Sequence, residues 1–301
     1  MIVSSYGKGQ ALWSFNHPPP LTIWVHGTLP GAFFPSKLLY KIGPIKRFFY
    51  CHEGLHKALD LAEDYHMRNI VQILHEQAPE RFALETFYLF GWSGKLRTHE
   101  RENAAQNLYK QLSHVIEKYH DEYNTAPYIQ LISFSHGGNV VLLMAPLNDE
   151  HDCPFHIDEL ILLACPVQHE TAHLITNQFF KRIYAIHSHH MDLLQVLDPQ
   201  GVHLFKCLIW NLIKEHSWQG LKNAWQELKS ITLFSERHFP SQENLTQICL
   251  KLNWRYPMHG EFLLSPFLRS LPAILTEAQQ SDKTEQTSLT KSIRMKVIMK
   301  N

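Results

Sequence analysis

The chain has 301 residues, 45% hydrophobic and 19% charged, which is enough to bury a large core as one domain with insertions. Its 28 basic and 28 acidic residues cancel, so no overall field draws it to nucleic acid, and a nucleic-acid partner is not expected. Five cysteines, Cys51, Cys153, Cys165, Cys207 and Cys249, are scattered with no C-x-x-C pair, which suits reduced thiols and a cytoplasmic location.

The segment Met1 to Pro20 lacks a cationic start followed by an apolar core, and no apolar run approaches the roughly 20 residues that span a bilayer. Neither a cleaved signal nor a transmembrane segment is expected; peripheral membrane contact stays open. Among 21 histidines the cluster His187, His189, His190 lacks a second ligand group at a recognisable spacing. These read as polar loop residues, so no metal is expected.

In chain order, Pro18-Pro19-Pro20 leads into Leu21–Val25, a β-branched and aromatic run that reads as a buried strand ending in the loop His26-Gly27-Thr28-Leu29-Pro30-Gly31. Residues 32 to 82 carry helical stretches such as Gly54 to Glu76, loosely periodic, with no chemical role assigned. Lys46-Arg47-Phe48-Phe49-Tyr50 could line a substrate entrance or pack against the sheet. Leu84 to Phe90 reads as the next strand, closed by Gly91-Trp92-Ser93-Gly94; no helix follows Ser93 at the offset a nucleophile needs. A one-sided helix then starts with Thr98 as N-cap and Glu100 in its first turn, carrying Ala105, Leu108, Leu112, Val115, Ile116 and Tyr119 at helical spacing.

After the polar loop Asp121 to Pro127, the apolar run Tyr128–Phe134 ends at Ser135, and a helical pattern starts at once through His136-Gly137-Gly138-Asn139-Val140-Val141. A serine hydroxyl is a poor nucleophile unless a tight turn holds it clear of its own backbone, with a base and amide donors in reach. The glycines two and three residues on allow such a turn. Further strands are expected at Glu159–Cys165, Arg182–Ser188 and Ile248–Leu252. Strands alternating with helices indicate an α/β fold with a mostly parallel central sheet and helices on both faces.

Asp192 follows the second of these strands, at the carboxyl edge where ligands gather in such sheets. Asp198 competes but sits in a turn-forming Asp-Pro-Gln-Gly setting. Residues 202–236 place Phe205, Leu208, Ile209, Leu212 and Ile213, then Trp218, Leu221, Trp225 and Leu228, at helical spacing: a helical, cap-like insertion, or helices simply packed on the sheet. His259 follows the strand at 248–252, whereas His238 precedes it. From about residue 277 the sequence turns polar and reads as a mobile C-terminal tail, with the end from Arg294 to Lys300 able to dock.

The S-F-S-H-G-G stretch resembles the nucleophile elbow of the α/β-hydrolase superfamily, G-x-S-x-G, with Ser133 in place of the first glycine. The resemblance covers about residues 20 to 275. It implies an α/β-hydrolase domain over 1–276, with the insertion between the acid and base loops and a tail at 277–301. It also implies a catalytic triad in the order Ser135, Asp192, His259, and an oxyanion hole from the backbone amides of Thr28, after the HG dipeptide, and His136. His26 itself reads as a structural hydrogen-bonding residue. The expected activity is that of a lipase-like serine esterase acting on a small-molecule ester, thioester or acyl substrate, with no cofactor. A catalytically silent binding module, towards which Ser133 points, and an acyltransferase using the same triad are the alternatives.

Overall fold

The computed structural model describes residues 2–3, 18–28, 51–151, 155–188, 192, 238–252, 255–284 and 291–297. The strands are β1 (Ile2–Val3), β2 (Leu21–Val25), β3 (Gly54–Lys57), β4 (Phe87–Gly91), β5 (Ile129–Phe134), β6 (Glu159–Leu163), β7 (Ile183–Ser188), β8 (Leu245–Leu252) and β9 (Lys291–Val297). The helices are α1 (His66–Gln77), α2 (Thr98–Tyr123), α3 (Gly137–Leu142), α4 (Met144–Asp149) and α5 (Ser265–Thr284). The nine strands form one sheet in the order β1-β9-β8-β7-β6-β5-β2-β4-β3. Every pairing is parallel except that of β3 with β4.

Successive residues of a strand point to opposite faces, so strands covered on both faces are mostly apolar along their length. That is the pattern of β2, β5, β6 and β7, which are buried throughout, with a few buried polar residues such as Thr22, Gln130, Ser133 and Glu159. Trp24, Ile132, Ile161, Tyr184 and Ile248 face one core, closed by Met67, Ile70, Val71 and Leu74 of α1 and by Phe267, Leu268, Leu271 and Ile274 of α5. Ile23, Leu131, Leu160, Ile183 and Leu245 face the other, closed by Ala105, Leu108 and Leu112 of α2 with the short α3 and α4. Each fully buried leucine of these faces contributes about 2 kcal/mol. The helix α2 runs for 26 residues without proline or glycine and ends at Asn124, whose left-handed φ of 52° closes its last turn.

Several expectations need correction. The stretch Gly54 to Glu76 is not one helix: Gly54, at φ 99°, opens the edge strand β3, a 3-10 turn follows at Ala58–Asp60, and α1 starts only at His66. Pairing with β4 claims the start of that stretch, a tertiary effect without local periodicity. Leu84–Thr86 is a 3-10 turn before β4, where the Thr86 hydroxyl donates to the Pro20 carbonyl. Thr98 is not the N-cap of α2; Arg97 flanks it, with no side-chain cap, and the Thr98 hydroxyl donates to Glu170 instead.

The strand β6 stops at Leu163 because Ala164 turns to φ 49°. His187 is a buried strand residue rather than a loop residue. β8 begins earlier than expected and is not the last strand. The polar 277–301 segment is no separate tail in its described parts: α5 continues to Thr284, and β9 pairs with β8 from Thr246 to Leu252. The cap-like stretch 202–236, Asp198 and the aromatic patch at 46–50 lie outside the described residues. Among the described residues, no helix is long and apolar enough to cross a membrane.

Candidate functional site

The chain runs from β2 outward to β3 and β4, then returns to the other side of β2 with β5 and continues through β6, β7 and β8. The point where the order reverses lies between β2 and β5, and in open α/β sheets ligands bind at the carboxyl ends of such strands. Val25 of β2 is level with Ser133 of β5, so the loop at residues 26–28 and the turn at Ser135 leave the sheet side by side. Ser135 sits at this switch point.

The turn is tight. Ser135 adopts φ 52°, a left-handed conformation that costs a residue with a Cβ roughly 1 kcal/mol or more. Its amide donates to the Leu163 carbonyl of β6 at 2.8 Å, and its carbonyl accepts from Gly138, so the neighbouring strand and the start of α3 hold the strained residue. Two glycines permit the geometry. A Cβ on Gly27 would lie 2.8 Å from the Ser135 Cβ, and one on Gly137 would lie 2.5 Å from the His26 carbonyl oxygen. Ser133, where the resembling motif has glycine, is fully buried on β5, and its hydroxyl reaches the Ile161 carbonyl at 3.4 Å.

Three residues far apart in sequence meet here. The Ser135 hydroxyl donates to His259 Nε2 at 2.9 Å, and His259 Nδ1 donates to Asp192 with its two carboxylate oxygens at 3.0 and 2.8 Å. Asp192 is wholly buried four residues past the end of β7, and the His259 side chain is 13% exposed. The Phe134 ring lies against the His259 imidazole at 4.9 Å between centroids. His259 opens a 3-10 turn, His259–Leu263, fastened by Glu261: its carboxylate accepts the Met258 amide at 2.7 Å and a bidentate pair from Arg255. The Arg255 guanidinium holds the Glu261 carboxyl below its ordinary range.

His26 has no part in this relay. Its Nδ1 donates to the Gly27 carbonyl at 2.6 Å, its Nε2 accepts from the Trp92 amide at 3.0 Å, and the Trp92 indole N–H donates to the His26 carbonyl at 2.8 Å. Burial pushes its imidazole down to about 4, so it stays neutral and ties the 26–28 loop to the end of β4. Thr28, in that loop, is buried, and with Trp24, Gly27, Met67, Phe134 and Leu263 it lines a small, mostly apolar cavity with room for about one water. His136 follows Ser135 and is also buried. Gly27, which precedes Thr28, and His136 adjoin the serine from the β2 and α3 sides.

Of the rejected candidates, Ser93 donates to Glu100, and His238 packs edge-on against His187. Sequence reasoning missed Arg101, whose buried guanidinium donates to His136 Nδ1 at 3.2 Å and to Gln168, and it missed the Glu261–Arg255 fastening. A signal for Arg101 exists: it lies in the first turn of α2, where the helix dipole disfavours a cation. Among the described residues, no group of three His, Cys, Asp or Glu side chains is placed to hold a metal ion.

Comparison with models of known protein families finds no match, and no characterised protein matches the sequence. The functional reading rests on the geometry.

Proposed function

We propose that the chain is a serine hydrolase of the α/β-hydrolase type that cleaves an ester or thioester through an acyl-enzyme. The observation that carries this reading is the hydrogen-bonded relay from Ser135 through His259 to the buried Asp192, at the switch point of a mostly parallel sheet. In this mechanism His259 Nε2 removes the hydroxyl proton as Ser135 Oγ attacks the carbonyl carbon. Asp192 fixes the imidazole tautomer and stabilises the imidazolium. The backbone amides of Thr28 and His136 bind the oxyanion, and His259 returns the proton to the leaving alcohol or thiol. Water, deprotonated by His259, then attacks the acyl carbon; the acid leaves and Ser135 regains its proton.

Apolar surroundings favour an acyl substrate: Trp24, Met67, Phe134 and Leu263 border the loops, and Met258 and Leu264, flanking the His259 turn, are exposed. A cytoplasmic location fits the five scattered cysteines of the sequence, which form no C-x-x-C pair. Ser133 is accommodated within the sheet, so its departure from glycine gives no support to a silent binding module.

The test is reaction of the purified chain with a fluorophosphonate probe, which needs an activated serine and no knowledge of substrate, followed by peptide mass spectrometry. An adduct on Ser135, lost in Ser135→Ala and slowed by a factor of about 10⁴ or more in His259→Ala, is expected. Folded protein that gives no adduct, or one at Ser93, rules the proposal out.

A further inference from the structure

We propose that Arg101 is a positioning residue for the reaction: through the His136 ring it holds the backbone amide that, in the serine-hydrolase reading on which this inference rests, binds the oxyanion. His136 carries that amide on the residue after the nucleophile, and its position relative to Ser135 is set by how its buried side chain is anchored. One anchor is the Arg101 guanidinium, which donates to His136 Nδ1 at 3.2 Å. Arginine has no acceptor, so Nδ1 must offer its lone pair, and one tautomer of the ring is selected with its proton on Nε2.

The guanidinium is itself clamped. Its Nη1 also donates to Gln168 in the loop after β6, and its Nη2 lies 3.4 Å from the exposed Glu170. The same loop is fastened to the elbow helix independently, because the Asn139 amide donates to the Pro166 carbonyl at 3.1 Å and the Thr171 hydroxyl donates to the Asn139 carbonyl oxygen. Three segments, α2, the elbow and the loop after β6, therefore converge on the residue that follows the nucleophile. The charge is buried at the end of a helix whose dipole opposes it, an arrangement that packing alone does not call for. A preorganised donor accelerates the reaction only if it is aimed before the charge develops, and Arg101 supplies that rigidity.

The experiment compares wild type with Arg101→Met, Arg101→Lys and Gln168→Met, using kcat and KM for p-nitrophenyl butyrate, the fluorophosphonate labelling rate, and melting temperature. Arg101→Met is expected to lower kcat about tenfold or more, short of the hundredfold that loss of an oxyanion donor brings, with KM within about twofold. Arg101→Lys, which keeps a cation but not the fork, recovers part of the loss. Gln168→Met, which leaves the guanidinium in place but loosens it, lowers kcat less and remains informative where Arg101→Met does not fold. In a His136→Met background, replacing Arg101 has little further effect. A kcat that follows only the folded fraction, or equal kcat in all folded variants, overturns the inference while leaving the hydrolase reading intact. A wild-type chain without a Ser135 adduct removes both.

Discussion

The left-handed φ of 52° at Ser135 stores strain at the residue that the proposed chemistry uses. Ser135→Ala keeps the Cβ and therefore the strain; Ser135→Gly releases it, offset in part by the greater freedom of glycine in the unfolded chain. The glycine variant should be the more stable of these two inactive proteins by up to about 1 kcal/mol, a rise in melting temperature of roughly 2 °C. Equal melting temperatures would mean that the strain at Ser135 is no larger than the cost of glycine's added freedom in the unfolded chain. His26 makes a second prediction at this scale. Its folded value, about 4, lies below the ordinary 6.5, so between these values the unfolded chain binds the extra proton. The contribution is complete above pH 6.5 and is lost as pH falls towards 4, by roughly 3 kcal/mol in total. Melting temperatures recorded from pH 7 to 4.5 should fall more steeply for wild type than for His26→Gln, which has no group to titrate there.

At the scale of elements, the His259–Leu263 turn is held by a side chain it carries itself. Glu261 ties it to the Met258 amide and to Arg255, and its lowered carboxyl range keeps this fastening ionised at neutral pH; it weakens only as pH falls below about 4.5 through the lowered value. Arg255 is about a third exposed, so the ion pair adds about 1 kcal/mol or less to stability, and its effect lies in aiming His259. Glu261→Ala should slow fluorophosphonate labelling about tenfold with a small change in melting temperature, and Glu261→Gln, which keeps an acceptor for Met258, should fall between. A rate unchanged in Glu261→Ala would mean that the turn holds its shape without the carboxylate. This is also the scale at which sequence and structure part company. The runs at Leu21–Val25, Ile129–Phe134 and Ile183–Ser188 were legible because burial on both faces makes them mostly apolar and β-branched or aromatic, and Ser135, Asp192 and His259 because each follows the carboxyl end of a strand. β3 was not legible: its four residues GLHK are half-buried, and only pairing with β4 makes them a strand. β9 carries alternating Ile293, Met295 and Val297, but the polar stretch before it outweighed that signal. Arg101 left a local hint, a cation in the first turn of α2, but its meeting with Gln168 across 67 positions was not legible because the fold alone makes it.

Over the whole molecule the two ends of the sheet do different work. The carboxyl ends carry Ser135, Asp192 and His259, whereas the amino end of β6 carries Glu159, buried with only 1% of its side chain exposed. Its carboxylate accepts from Arg81 at 2.5 Å, from Gln130 of β5, and from Gln279 of α5 at 2.9 Å. One anion thus binds the segment after α1, the central sheet and the helix α5 that follows the His259 turn. Removing one partner of such a buried pair leaves the other charge unpaired in a poor solvent, at a cost of about 3–5 kcal/mol. Glu159→Gln is therefore expected to lower the melting temperature by roughly 10 °C, a larger effect than that of Ser135→Ala or Glu261→Ala at the carboxyl end. The five residues of β6 separate Glu159 from the elbow by about 15 Å, so the labelling rate per folded molecule at 20 °C should stay within twofold of wild type. Denaturation midpoints and labelling rates measured on the same samples check both halves. A variant that is stable but slow would mean that the amino-end network reaches the site through α5, and the division of labour between the two ends would have to be abandoned.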